Sequence, residues 1–290
     1  MSVFIQIITR SLETGSIYAL MALGIIIIFK TSHLVHFAQG TMGMFSTYIV
    51  TVFLGIGTGL VPAVIGGILA AIGLGCLVDI GIIRHATKAS HTGKQIITFG
   101  LVMIFLGIAP TIFGVDPITM PKFIEKGDIN IGGATLSYNG LFNIILVIAI
   151  LIGLFFLLQK TKFGLAIRAT AQMESTARIM GIKTKNVTMF SWAIGGALGC
   201  LAGVMIAPSS AVTTSVLDAV FNAACIACIF GGFQTFVGPV LAAYLLGIIR
   251  NLSMFYISSV WGEQIVYILI LIFIVIRPNG LIGKKLVKKV

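Results

Sequence analysis

Two histidines three residues apart, His33 and His36, are the first side chains in this sequence that suggest chemistry. They open the segment HLVHFAQGTMGMF (33–45), which lies within 48 uncharged residues, Thr31–Val78. An i,i+3 pair of imidazoles can begin a metal site, but no third ligand stands nearby. We therefore expect no metal ion here. Two interpretations stay open: a helix break with satisfied backbone groups, or a polar segment that contacts a transported solute.

The cysteines give no stronger indication of chemistry. Cys225 and Cys228 have CxxC spacing, but their surroundings are apolar and further ligands are missing. The sequence has no phosphate-binding loop, no nucleophile elbow and no ligand-spaced cluster of Asp, Cys and His. We expect neither an enzyme nor a bound cofactor, so energy for uphill transport would have to enter through another subunit.

Composition fixes the environment in which these residues lie. Of 290 residues, 58% are hydrophobic and 9% are charged, whereas a soluble domain carries about 25% charged residues. The apolar runs are continuous and do not alternate as barrel strands do. The sequence therefore predicts an all-α, polytopic membrane protein.

The charged and Gly/Pro-rich segments divide the chain into eight or nine spans, some of them short or broken. The count depends on whether 219–230 crosses the membrane or only dips into it. A mixed-charge loop is expected at 115–139, and the break GGFQTFVGP at 231–239. The predicted spans are 14–29, 36–54, 62–82, 95–114, 141–158, 187–207, 219–230, 239–249 and 261–276.

The distribution of basic residues predicts the orientation. The segments around 30, 84–94, 160–185 and 277–289 carry one, three, six and five Lys/Arg, which is 15 of the 19. This asymmetry marks them as cytoplasmic; with nine spans, the N-terminus is outside and the C-terminus inside. The same rule accounts for the net charge of +11 without a nucleic-acid partner.

Charged residues are absent from the expected middle of every span. Arg10 and Glu13 stand near the outer end of the first span, where they could pair. Ion-coupled carriers usually keep an ionisable group at mid-depth. The sequence therefore disfavours such a carrier, for which His33 and His36 would be the candidate coupling groups.

A glycine stripe runs along one face of the span 187–207. Gly195, Gly199 and Gly203 recur every four residues, which lets two helices approach closely in lipid. We expect this stripe to pack helices, either within the subunit or against a partner.

The polar stretch 159–186 is predicted to form a short amphipathic helix that Gly181 ends. Arg168, Glu174 and Arg178 supply its polar face, with the last two at i,i+4. Such a helix lies on the membrane surface or fits a groove in a soluble partner, and the pattern leaves both open. Its apolar stripe comprises Leu165, Ile167, Ala171, Ala177, Ile179 and Met180.

Four motifs, in order along the chain, resemble the permeases of branched-chain amino acid ABC importers. HFAQGTMGMFSTYIV (36–50) is similar to the NFAxGxxxxxGAY segment of that family. RATAQMESTARIMGI (168–182), followed by SWAIGGALGCLAGVMIAP (191–208), looks like its coupling loop and next helix. GGFQTFVGPVLAAYLLGIIRNL (231–252) and RPNGLIG (277–283) resemble its later motifs. His36 replaces the usual asparagine, and STY replaces GAY.

The resemblance implies a single permease domain, 1–290, with the ABC importer permease fold and a cytoplasmic coupling loop at 160–186. It further implies two cytoplasmic ATPases, a second permease subunit that is identical or related, and an extracytoplasmic binding protein. The location would be the bacterial inner membrane. Members of the wider family also carry sugars, nucleosides and urea, which remain alternative substrates.

Residue by residue, the resemblance points to two functional sets beside the packing glycines. The expected ATPase-coupling residues are Arg168, Gln172, Glu174, Ala177, Arg178 and Gly181. The expected residues of the translocation path are His36, Phe37, Gln39, Gly40, Thr41, Asn222 and Gln234.

Overall fold

The structure is a computed structural model that describes residues 2–86, 89–131, 134–277 and 280–281. It consists of eleven α-helices and one short β-hairpin within those residues, which confirms the predicted all-α fold. The helices are α1 (Ser2–Ser32), α2 (Gln39–Gly55), α3 (Leu60–Val78, continued by a π-helical turn, Asp79–Ile83), α4 (His91–Phe113), α5 (Tyr138–Lys160), α6 (Lys162–Gln172), α7 (Glu174–Ile179), α8 (Thr184–Ser210), α9 (Asp218–Gly231), α10 (Val237–Tyr256) and α11 (Gly262–Ile276).

Six helices in the described part of the chain are long and apolar enough to cross a membrane: α1, α3, α4, α5, α8 and α10. Helices α9 and α11 are apolar but have only 14 and 15 residues. Helix α2 has 17 residues. Each predicted span thus corresponds to one helix, and the three short helices fit the expected short or broken segments.

Two boundaries of the predicted elements were wrong. Helix α1 begins at Ser2 instead of Thr14, so Arg10 and Glu13 lie inside it. The expected loop at 115–139 contains an antiparallel hairpin, β1 (Asp128–Ile131) with β2 (Ala134–Ser137). The pairing of the two strands satisfies their backbone N–H and C=O groups. Apolar periodicity alone could not predict this pairing.

The expected pairing of Arg10 with Glu13 is also absent from the described ion pairs. The Glu13 carboxylate instead accepts a hydrogen bond from the Asn143 amide on α5, at 3.1 Å. A partner on a neighbouring helix has replaced the partner one turn away.

Two basic side chains near helix ends form hydrogen bonds with backbone carbonyls of other segments. The Lys30 ammonium at the end of α1 donates to the Gln234 carbonyl, at 2.6 Å. The Arg84 guanidinium donates to the Lys185 carbonyl near the start of α8, at 2.7 Å. The Arg84 contact joins two segments, 84–94 and 160–185, that the charge count assigned to one side. The basic residues beyond Leu281 lie outside the described residues.

Helix α8 packs against α1, α2 and α3, and its glycines face these helices of the same chain. A Cβ on Gly195 would come within 2.5 Å of Ile28 on α1, and one on Gly203 would overlap the Thr47 hydroxyl on α2. Gly199 lies directly against Gly43 of α2. The glycine stripe therefore packs within the subunit.

Helix α2 begins deep inside the bundle. The Gln39 amide reaches the Gly195 carbonyl of α8 at 3.3 Å, and Gly195 lies eleven residues, or roughly 16 Å, beyond the first residue of α8. The expectation that the span 36–54 starts at the cytoplasmic end was wrong, because the non-helical residues 33–38 carry the chain inward first.

We predict that Gly43→Ala lowers the melting temperature of the purified protein in a fluorescence-based thermal unfolding assay. A Cβ at residue 43 would lie 2.8 Å from the Gly199 carbonyl oxygen, and helix backbone cannot rotate away as a side chain does. Overpacking of this kind costs about 1–3 kcal/mol. The matched control is Gly107→Ala on α4, where an added Cβ meets nothing within 4 Å. Equal melting temperatures for the two variants would contradict the tight seam.

Candidate functional site

A cavity of about 540 Å³ opens between α2, α4, α9 and α11. Four residues of the expected translocation path line it together: Phe37, Gly40, Thr41 and Asn222. The remaining lining residues are Phe99, Val102, Asp218, Phe221, Cys225, Ile226 and Tyr267.

The cavity forms where two helices begin beside each other. A Cβ on Gly40, in the first turn of α2, would lie 3.0 Å from Phe221 in the first turn of α9. Glycine at residue 40 therefore permits the contact between the two helix starts. Because Gly40 is next to Gln39, which reaches the middle of α8, this junction also lies deep in the bundle.

Asn222, like Asp218, is an exposed polar side chain of the cavity lining. The Asn222 amide has no hydrogen-bond partner among the described residues. An unsatisfied amide at bilayer depth is costly unless it meets water, a ligand or another subunit. By contrast, the Thr41 hydroxyl already donates to the Ala38 carbonyl at 3.0 Å.

The helix starts also contribute to the electrostatics of the cavity. The first backbone N–H groups of a helix have no acceptor within the helix and carry a partial positive charge. Gly40 and Thr41, in the first turn of α2, line the cavity, so the start of this helix favours an anionic group of a ligand. Asp218, in the first turn of α9, supplies an opposing negative charge.

Two other residues of the expected path are buried behind the cavity. His36 is 1% exposed, and its ring packs against Trp192 of α8 with centroids 4.3 Å apart. Its Nε2 lies 3.1 Å from the Met42 sulfur. Gln39 is also 1% exposed and bonds to the Gly195 carbonyl. In this conformation, both side chains shape the junction of α1, α2 and α8.

The last expected path residue, Gln234, lies elsewhere. It is exposed in the connection between α9 and α10, and its carbonyl accepts the Lys30 bond. Among the described residues, no group of three or more His, Cys, Asp or Glu could hold a metal ion.

Sequence reasoning missed Phe99 and Tyr267 as cavity residues. The Phe99 ring stacks on Phe37 with centroids 4.2 Å apart. The Tyr267 hydroxyl donates to Glu263 at 2.7 Å, and Glu263 pairs with Arg250 at 3.0 Å. Tyr267 gave a usable signal, because it carries the one side-chain hydroxyl of the last apolar span. Phe99 gave none, because it resembles any lipid-facing phenylalanine.

The expected single coupling helix is two helices, α6 and α7. The helix is interrupted at Met173, whose backbone is extended (φ −159°, ψ 102°). The change of direction lets Ala177 pack inward and lets Glu174 accept a bond from Thr184 of α8, at 3.3 Å. No glycine or proline near Met173 marked this break. Gly181 ends α7 with φ +84°, in the left-handed region that glycine favours.

The apolar stripe expected in this segment also divides between two faces. Ile167 and Ala177 are buried, whereas Met173, Ile179 and Met180 are 60%, 86% and 79% exposed. We call these three exposed side chains the coupling tip. Glu174 and Arg178 form an ion pair beside it. The others of the expected coupling set are arranged around it: Arg168 on α6 bonds to Gln159, and Gln172 is exposed.

Comparison with known proteins identifies the family to which this chain belongs. The family model described as the permease component of branched-chain amino acid transport systems matches residues 7–275. The chain belongs to this family. The resemblance inferred from the four motifs is thereby confirmed, and the chain is a membrane permease subunit.

Curated relatives are similar to this permease over nearly their whole length. The probable branched-chain amino acid transport permease protein LivH of Methanocaldococcus jannaschii is 27% identical, over 96% of this chain and 92% of that protein. The high-affinity branched-chain amino acid transport system permease protein BraD of Pseudomonas aeruginosa is 24% identical, over 99% and 98%. Escherichia coli LivH is 23% identical over the same shares.

A solved structure supports the fold. The structure of PsaBC from Streptococcus pneumoniae in complex with Fab aligns with this permease at a TM-score of 0.51 and 14% identity. The alignment covers 95% of this chain and 91% of that one. At this identity the likeness concerns the fold alone.

We predict that Cys225 reacts with a water-soluble, membrane-impermeant thiol reagent while Cys228 does not. Cys225 lines the cavity, whereas Cys228 is 0% exposed and its thiol faces the Ala22 carbonyl. The measurement compares labelling rates of two permease variants, each retaining one of these cysteines with the other three replaced by alanine. Equal rates would show that water does not enter the cavity.

Proposed function

We propose that this permease imports branched-chain and other hydrophobic amino acids as the membrane subunit of an ATP-driven importer. The observation that carries the proposal is the cavity at the junction of α2 and α9, in a chain whose family is established. Two curated relatives are named as high-affinity branched-chain amino acid permeases. In this proposal, the amino acid passes through the cavity after delivery by an extracytoplasmic binding protein.

The chemistry of the cavity suits such a substrate. Its walls are mainly aromatic and aliphatic, as a branched side chain requires. The start of α2 favours a carboxylate, and the free Asn222 amide can bond to either polar end of an amino acid. A sugar or nucleoside would need several hydroxyl partners, and this lining offers few. The alternative substrates of the wider family, urea included, are therefore less well supported.

The cavity is open on one side of the subunit. A path across the bilayer needs walls all round, and here α4 and α11 leave Phe99 and Asn222 exposed. A second permease subunit, identical or related, would close the open side. Pairing would also cover the Asn222 amide or enclose it with water.

Energy would enter through the coupling tip. An exposed cluster of Met173, Ile179 and Met180 beside an ion pair is typical of a surface that binds a partner. Methionine adapts well to a partner groove. We assign this surface to a cytoplasmic ATPase, one for each of two permease subunits. An alternative, in which the tip lies on the bilayer surface, predicts no ATPase binding.

The orientation follows from the same assignment. We assign the coupling tip to the cytoplasm of a bacterium, because the segment 160–185 that carries it is one of the segments that together hold 15 of the 19 Lys/Arg. Nine crossings then put the N-terminus outside and the C-terminus inside. Lys122 and Lys126 would face the periplasm.

Uptake by vesicles tests the path. We predict that Asn222→Leu reduces ATP-dependent uptake of L-leucine at least tenfold, because the cavity loses its free amide while its volume is largely kept. Uptake would be measured in proteoliposomes that hold the permease with its co-purified subunits. The matched control is Ile229→Leu, an exposed residue on the same helix that does not line the cavity. Normal uptake by the Asn222 variant would remove the amide from the path.

ATPase capture tests the coupling tip. We predict that Met180→Asp lowers the amount of ATPase that co-purifies with the permease at least tenfold, because a carboxylate cannot enter an apolar groove without losing its hydration. The side chain is 79% exposed, so the permease itself should fold normally. Val115→Asp, at an 80% exposed residue between α4 and the hairpin, is the control. Unchanged capture by the Met180 variant would favour the bilayer-surface alternative.

A further inference from the structure

A second and larger cavity, of about 780 Å³, lies at the end of α8 remote from the coupling tip. It is enclosed by α1, α8, α9 and α10. We call it the outer cavity, and we call the cavity between α2, α4, α9 and α11 the central cavity. Helix α9 separates the two: Ala219 and Val220 face the outer cavity, whereas Phe221 and Asn222 face the central cavity.

Charged groups of both signs line the outer cavity. Arg10 and Glu13 come from one turn of α1, and Arg250 comes from α10. The Arg10 guanidinium forms no ion pair or side-chain hydrogen bond among the described residues. Arg250 bonds to Glu263 through Nη2 at 3.0 Å, but its Nε is buried without a partner. Two guanidinium groups thus have unused donors at one cavity.

Unused guanidinium donors at this place call for an explanation. Basic residues are disfavoured on the outer side of a membrane protein. The half-buried Arg250 guanidinium also loses hydration energy at its unmet N–H, whereas Arg10 is exposed. A carboxylate is the acceptor that guanidinium geometry fits best. The carboxylate of Glu13 is half-buried and keeps one oxygen free of the bond to Asn143, so it can receive an ammonium.

The rest of the lining is divided between hydroxyls and apolar side chains. Thr14, Ser209 and Ser215 provide small polar groups. Ile17, Met205 and Val220 provide an aliphatic wall. A ligand that matches this cavity is small, has a negative and a positive group close together, and carries an apolar portion.

We propose that the outer cavity is a second binding site of the permease and that it takes a zwitterionic aliphatic amino acid. The carboxylate binds at Arg10 and Arg250, the ammonium binds at Glu13, and the side chain contacts the aliphatic wall. Its role as a receiving site ahead of the central cavity rests on the proposed import function, whereas binding itself does not. The Arg250–Glu263–Tyr267 chain of bonds joins the two cavities.

Direct binding tests this site without ATP or transport. The full-length permease in lipid nanodiscs would be assayed for binding of tritiated L-leucine by scintillation proximity. We expect saturable binding that Arg10→Gln weakens about tenfold, the effect of removing one charge-assisted hydrogen bond. Glu13→Gln should weaken it similarly while keeping the bond from Asn143. Neither 4-methylpentanoate, which lacks the ammonium, nor isopentylamine, which lacks the carboxylate, should compete.

Ile229→Leu serves as the matched control, because Ile229 is exposed on α9 and lines neither cavity, so this variant should leave the binding unchanged. The proposal is overturned by the absence of saturable binding, or by affinities of the Arg10 and Glu13 variants that equal the affinity of the unsubstituted permease. Loss of binding in the Asn222→Leu variant alone would also overturn it, because the bound leucine would then lie in the central cavity. Competition by 4-methylpentanoate would also overturn it, since a simple carboxylate site would then suffice. Failure of vesicle uptake with this binding intact would refute only the import function.

Discussion

The close approach of α8 to its neighbours is the constraint on which the other features of the permease depend. Gly43 and Gly199 lie against each other, and a Cβ on Gly196 would come within 2.5 Å of the Ala71 carbonyl of α3. No long side chain separates these backbones, so dispersion contacts are dense and the relative positions of the helices have little freedom. This seam fixes how far α2 lies along α8, and hence where α2 begins. The central cavity exists because α2 begins there.

Beginning a helix inside the bundle has an energetic cost that the surrounding residues offset. The non-helical residues 33–38 and 211–217 carry backbone groups that lipid cannot satisfy. Part of this need is met locally: Thr98 receives a bond from the Phe37 amide at 3.3 Å, and Val212 pairs with Ile118 in a β-bridge. Trp192 covers His36 and donates to Ser32 at 3.0 Å. The histidine that first suggested a metal site is thus a packing residue in this conformation, and the free polar capacity lies at Asn222.

The elements that the sequence could predict were those set by local composition. Apolar runs locate all nine expected spans, Gly181 marks the end of α7, and the four-residue glycine spacing identifies the face of α8 that packs. Four of the seven expected path residues share the cavity: Phe37, Gly40 and Thr41 stand together in one motif, whereas Asn222 lies outside the four motifs. Features that depend on distant partners could not be predicted. The interruption of the helix at Met173 depends on the hydrogen bond that Thr184 of α8 donates to Glu174. The partner of Glu13 depends on the position of α5, and the place of Tyr267 depends on where α11 packs.

The two functional regions are connected by α8 itself. Its first residue, Thr184, bonds to Glu174 beside the coupling tip, and its middle carries the glycine seam against α2. A displacement of the tip is therefore transmitted along one continuous helix of 27 residues. At the seam, the force passes between backbones, and rotation of side chains cannot absorb it. The same contact that places α2 at the cavity thus couples the position of α2 to that of α8. In the proposed function, this contact is the mechanical route from an ATPase bound at the tip to Gly40 and Asn222.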